Sequence, residues 1–159
     1  PAGREVRRPA GARPGEGFAA GRPLKSPDLS GRWTGVYFYP VDAEFNPYDD
    51  LPPTPFEAQL LDAGGEITGS TLEPDVLGPA GAPPISARLE GDHFDGQLVF
   101  TKFPDGGGQT HSIDYVGSIS TDGNSIAGRW VIHGDWSGTF QMQRKPAPIN
   151  ATLSVAATA

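Results

Sequence analysis

The sequence predicts an all-β chain: an eight-stranded antiparallel up-and-down β-barrel with irregular arms at both ends. Three observations predict it. Between Leu29 and Lys145 eight short runs alternate apolar and polar residues with a period of two. The connections between the runs alternate between tight turns and long loops. The 22 Gly and 17 Pro favour turns and short strands, and no window sustains the apolar period of a helix.

In chain order the strands are expected at 31–39, 55–61, 66–72, 85–90, 96–103, 110–120, 125–133 and 136–144. Asp62-Ala63-Gly64-Gly65, Gly91-Asp92-His93 and Thr121-Asp122-Gly123-Asn124 read as hairpin turns, rich in residues that tolerate positive φ. The segments 40–54, 73–84 and 104–109 are longer and each contains Pro, while His133-Gly134-Asp135 closes the last hairpin. Antiparallel neighbours throughout place the three tight turns at one end, the base, and the longer loops at the other, the mouth. Binding residues in small barrels gather at such a mouth.

Alternation then assigns an inner face. It runs through Trp33, Gly35 and Tyr37, then Phe56, Ala58 and Leu60, Ile67 and Gly69, and Ile85, Ala87 and Leu89. Gly96, Leu98 and Phe100 continue it, followed by Ile113, Tyr115, Gly117 and Ile119, then Ile126, Gly128, Trp130 and Ile132, and Trp136, Gly138, Phe140 and Met142. Burying a side chain of this kind stabilises by about 1.5–3 kcal/mol, so the set outweighs the chain entropy of a small domain. Repeated inward Gly lets strands coil tightly around a narrow lumen, much of which is then expected to be filled.

Charge divides the chain into three parts. Residues 1–28 carry a net +3, residues 29–145 a net −10, and the tail 146–159 none, giving −7 in total. An acidic barrel excludes nucleic acid as a partner, because phosphate contacts need clustered cations. The Pro/Gly/Arg-rich arm 1–28 is too polar to fold alone; it is either a disordered leader or a strap lying on a partner protein. No apolar run is long enough for a membrane-spanning helix. The lack of Cys rules out disulfides and thiolate metal sites. With no basic-then-apolar start, the composition leans toward the cytoplasm, although Pro1 leaves open what preceded it. Asn150-Ala151-Thr152 fits a glycosylation triplet, a common pattern.

The stretch Leu29-Ser30-Gly31-Arg32-Trp33-Thr34-Gly35 resembles the opening strand of avidins. Gly65-Glu66-Ile67-Thr68-Gly69-Ser70-Thr71 is similar to their third strand, and 117–132 has their strand–turn–strand rhythm with Trp130 in the matching place. The Gly31-x-Trp33 pattern with Arg144 ending the last strand also resembles lipocalins and the wider calycin group. That resemblance implies a base closed by Arg144 stacked on Trp33, a cation–π contact. It covers 29–145 and leaves both arms unmatched. The avidin biotin site does not carry over: Gly35 stands where that family has Asn, and Thr71 where it has Tyr. Unpaired polar atoms of a ureido ring would cost about 1–3 kcal/mol each.

At the mouth, the inner or rim positions are Tyr37, Tyr39, Phe56, Glu73, Lys102, His111 and Trp136, with Phe100, Tyr115 and Trp130 as further aromatic wall. Aromatic walls with one acid, one amine and one imidazole are how small-ligand sites are commonly built. The plainer expectation is that Glu73 and Lys102 are solvated rim residues. His93 is expected on the surface in a turn, and His133 to bond Asp135. No metal site or cofactor is expected: the three His are dispersed, and the acids Asp42, Glu44, Asp49 and Asp50 lack calcium-loop spacing. Pro104-Asp-Gly-Gly-Gly-Gln leads into a strand, unlike a phosphate cradle, which opens into a helix.

Two functions from different classes follow. One is a non-enzymatic module that binds a small hydrophobic or aromatic molecule at the mouth. The other is an accessory subunit of a larger or oligomeric assembly, held by arms 1–28 and 146–159. A barrel isomerase or cyclase using His111 or Tyr115 with Lys102 lacks a paired acid–base partner, so no enzymatic activity is expected. A cavity above roughly 300 Å³ lined by Tyr37, Phe56, Phe100 and Trp130 favours the first function. A lumen closed by those side chains favours the second.

Overall fold

A computed structural model describes residues 27–105 and 111–146. Eight strands form: β1 (Gly31–Phe38), β2 (Thr54–Ala63), β3 (Glu66–Glu73), β4 (Ile85–Phe94), β5 (Gln97–Asp105), β6 (Ile113–Ile119), β7 (Ser125–Ile132) and β8 (Trp136–Arg144). Each pairs antiparallel with its chain neighbours, and β1 pairs with β8 from Trp33↔Arg144 to Phe38↔Thr139, closing the barrel. No helix forms among the described residues. The glycosylation triplet, the tail beyond 146, residues 106–110 of the Gly-rich loop, and the N-terminal arm apart from Pro27 and Asp28 lie outside them.

The period of two carries over into packing. Trp33, Ile67, Leu89, Leu98, Ile126 and Met142 are buried along the axis, with Phe56, Phe100, Tyr115 and Phe140 around them. Two inner Gly positions have a visible cause. A Cβ at Gly35 would run into the Phe56 ring, which leaves no room for the Asn that avidins carry there. A Cβ at Gly138 would collide with the Phe38 carbonyl and the Trp130 ring.

One turn differs from expectation. Gly91-Asp92-His93 is strand, and β4 runs on to Phe94. The chain reverses at Asp95-Gly96, both at positive φ (50° and 75°), leaving Phe94 paired with Gln97. Asp-Gly with two left-handed residues matches the right-handed twist of the flanking strands, so it takes the turn. The consequence is chemical. His93 continues the inner face of β4 and is buried, with 7% exposure, instead of lying on the surface.

The base is sealed by polar bonds. The Arg144 guanidinium lies 4.7 Å from the Trp33 ring centroid. It also donates to the carbonyls of Ser30 and Asp28 at 2.6 Å each, to the Gly123 carbonyl at 3.1 Å and to Asn124 Oδ1 at 3.1 Å. Beside it, Asp62 accepts from the Leu29 and Gly65 amides and sits 2.6 Å from His93 Nε2. Burial works to raise the Asp62 pKa, but the two amides and the imidazole outweigh it and hold the carboxyl below its usual value.

A carboxyl with a depressed folded pKa contributes stability that is present above the unfolded value and lost as pH falls through the folded one. Asp62→Asn is therefore expected to lower stability by roughly 2 kcal/mol at pH 7, since two amides and a ring nitrogen lose a charged acceptor. The gap to the parent protein should close as pH drops below about 4, the ordinary carboxyl value. Urea denaturation across pH 3–7 checks both points.

Candidate functional site at the mouth

The mouth holds a cavity of about 230 Å³. Its wall is mainly aromatic and aliphatic: Tyr37, Tyr39, Phe45, Tyr115, Trp130 and Trp136, with Leu77, Ile113 and Ile132, and with His111 and Asp135 as its polar members. Five elements contribute. Tyr37 ends β1 on the inner face, Tyr39 follows it, Ile113 and Tyr115 begin β6, Trp130 and Ile132 end β7, and Trp136 begins β8.

The aromatic rings support one another. Trp136 is stacked between Tyr39 (5.1 Å, 21°) and Phe45 (5.4 Å, 24°). Trp130 stands nearly perpendicular to Trp136 at 5.3 Å and is fixed by its indole N–H, which donates to the Phe38 carbonyl at 3.1 Å. The Trp136 indole nitrogen is buried with no partner among the described residues. Phe45 reaches the wall because its loop is built around Asn46, 1% exposed, which donates to the Pro40 carbonyl and accepts from the Asp50 and Leu51 amides. Asp42 accepts from the Glu44 and Phe45 amides and shapes that turn.

Below the cavity lies a polar cluster set into an otherwise apolar lumen. On β3 the inner parity runs Ile67, Gly69, Thr71, Glu73; on β5 it runs Leu98, Phe100, Lys102. Both charged side chains therefore point inward, each 2% exposed, and Lys102 Nζ donates to Glu73 Oε1 at 2.5 Å. The Tyr37 hydroxyl donates to the other carboxylate oxygen, and the ammonium lies 5.1 Å from the Tyr37 ring centroid. Burial lowers the Lys102 pKa, opposed by Glu73. Burial and the Glu73 carboxylate push the Tyr37 phenol far up, and burial does the same to Tyr115.

This corrects the expectation of solvated rim residues: Glu73 and Lys102 are a buried ion pair that holds Tyr37 in place. Phe56 and Phe100 do not line the cavity. They lie beneath it, Phe100 stacked on Tyr115 at 4.6 Å and Phe56 against Tyr37 at 5.9 Å. His111 is on the rim and exposed. His133 bonds Asp114 at 2.7 Å, not Asp135, because it extends β7 beside the strand that carries Asp114.

Residues the sequence did not single out are Phe45, Leu77, Ile113, Ile132 and Asp135 in the wall, and Asn46 behind it. An Asx turn at Asp42 followed by Asn46-Pro47 was the one available signal for an ordered loop. The cavity is smaller than the 300 Å³ criterion and the lumen beneath is filled, so the site is shallow. No family model matches this chain, and no curated protein is significantly similar to it.

Proposed function

We propose that this protein is a non-enzymatic binding barrel of calycin type that takes a compact hydrophobic or aromatic molecule in its mouth. The observation that carries the reading is the aromatic cavity of about 230 Å³ at the mouth. That volume is below the roughly 300–1,000 Å³ of drug-sized sites and suits one or two rings. The Trp33–Arg144 stack supports the calycin kinship, as it is the base closure that the resemblance implies. The buried charged groups beneath the cavity, Glu73 and Lys102, are committed to each other, which favours binding over proton transfer.

Substituted phenols and indoles, titrated while Trp fluorescence is followed, test it. Saturable binding in the micromolar to low millimolar range is expected, weakened at least ten-fold by Trp136→Ala through loss of a stacked wall worth about 1.5 kcal/mol or more. No saturable response from any one- or two-ring probe overturns it.

A second reading, an accessory subunit, draws on the filled lumen and on exposed outer apolar residues, including Phe94 and the adjacent Val99 and Val116. Native mass separates the two: a monomer that stays unchanged when 1–26 are deleted removes the support for an assembly role.

A further inference from the structure

The geometry points to an organic cation as the occupant of the mouth, with a quaternary or tertiary ammonium group held against the aromatic wall. This deepens the binding reading above and rests on it. The wall is a set of rings set across one another: Tyr37 and Tyr39 meet at 80°, Tyr39 and Trp130 at 71°, and Trp130 and Trp136 at 89°. These rings pack against one another and border the cavity, and an aromatic wall attracts a cation that carries little hydration.

Charge placement points independently the same way. The described loop segments at the mouth, 39–53, 74–84, 111–112 and 133–135, contain Asp42, Glu44, Asp49, Asp50, Asp75 and Asp135 and not one Lys or Arg. Arg32, Arg144 and Lys145 stand at the opposite end, Arg88 is paired with Glu90, and Arg129 lies outside the lumen with its guanidinium on Ser137. Acids around an opening with a low-dielectric wall focus a negative potential on it. Asp135 lines the cavity, and its carboxylate has no hydrogen-bond partner among the described residues. Lys102 does not cancel this field, because Glu73 neutralises it at 2.5 Å. An anionic ligand would meet repulsion at every step of entry. A primary ammonium would need three acceptors where the wall supplies mainly rings, whereas a tertiary one needs a single acceptor and a quaternary one none.

The test compares two probes of one shape, (4-hydroxyphenyl)trimethylammonium and 4-tert-butylphenol, by calorimetry at pH 8 and low salt, where an ordinary histidine is neutral. The cation is expected to bind roughly ten-fold tighter, the scale of a partly desolvated cation–π contact. Its advantage should shrink as salt rises, and Asp135→Asn should narrow the ratio between the probes. Equal or tighter binding of the phenol overturns the cation assignment and leaves the binding reading intact. If neither probe binds, both fall.

Discussion

Replacing Glu73 with Gln is expected to destabilise the barrel by roughly 3–5 kcal/mol at neutral pH, the cost of leaving the partner of a buried pair uncompensated. The substitution keeps shape and removes charge, so packing changes little while Lys102, 2% exposed, loses its counter-ion. Its ammonium must then stay charged in an apolar lumen or give up its proton. The deficit therefore has a pH signature. A lysine held below its ordinary value of 10.5 penalises folding while it is protonated in both states, and the penalty fades as pH rises toward that value. Removing the whole cluster at once should behave differently. The triple variant Tyr37→Phe, Glu73→Leu, Lys102→Met removes all three members of the cluster together and is expected to match or exceed the parent in urea denaturation. A Glu73→Gln protein within about 1 kcal/mol of the parent would show that water reaches the pair, contrary to the closed floor described here.

If the triple variant is indeed as stable, the ion pair is not retained for stability. Its structural effect is to fix the Tyr37 hydroxyl from below, and with it one wall of the cavity. Probe binding by the triple variant then measures what that fixation contributes: a stable barrel with weakened binding would mean that the polar floor serves the site.

The two periods that sequence displays, residue parity and loop length, are local, and they carried the fold. Parity alone placed Glu73 and Lys102 on the inner face. What it lacked was depth, which depends on how far each strand runs past its neighbour, and depth separates a rim residue from a buried pair. His93 shows the same limit at the base. Gly91-Asp92 and Asp95-Gly96 are competing turn signals four residues apart, and only the pairing of Phe94 with Gln97 decides between them. The cavity wall was legible where it is built from strands, as with Tyr37, Tyr115 and Trp130. It was illegible where a loop contributes, because Phe45 is placed by Asn46 reaching carbonyls six and seven residues away in sequence, and its stacking partner Trp136 is far along the chain. One of the two departures from the avidin pattern has a visible counterpart, in contrast: the Phe56 ring stands against Gly35, where the resemblance would put a polar side chain.

The second large effect lies at the other end of the barrel. Trp33→Ala is expected to cost about 3–5 kcal/mol, as for other aromatic truncations in a close-packed core. Trp33 is fully buried, and its indole N–H donates to the Leu29 carbonyl at 3.0 Å, so truncation opens a cavity and leaves that carbonyl without its donor. It also takes away the ring on which the Arg144 guanidinium lies, though Arg144 keeps its bonds to the segments at 28–30 and 123–124. Trp33→Phe separates these contributions in part, since it keeps an aromatic ring while losing the donor and a smaller share of the packing, and roughly 1–2 kcal/mol is expected for it. Because base and mouth are joined by one continuous core, the Trp33→Ala loss should appear as a lower Tm with a single transition, not as a separate early melting of the base. Binding at the mouth by the fraction still folded should be unchanged, as the filled lumen lies between the two ends. An unaltered Tm would mean that the stack of Trp33 and Arg144 does not close this barrel.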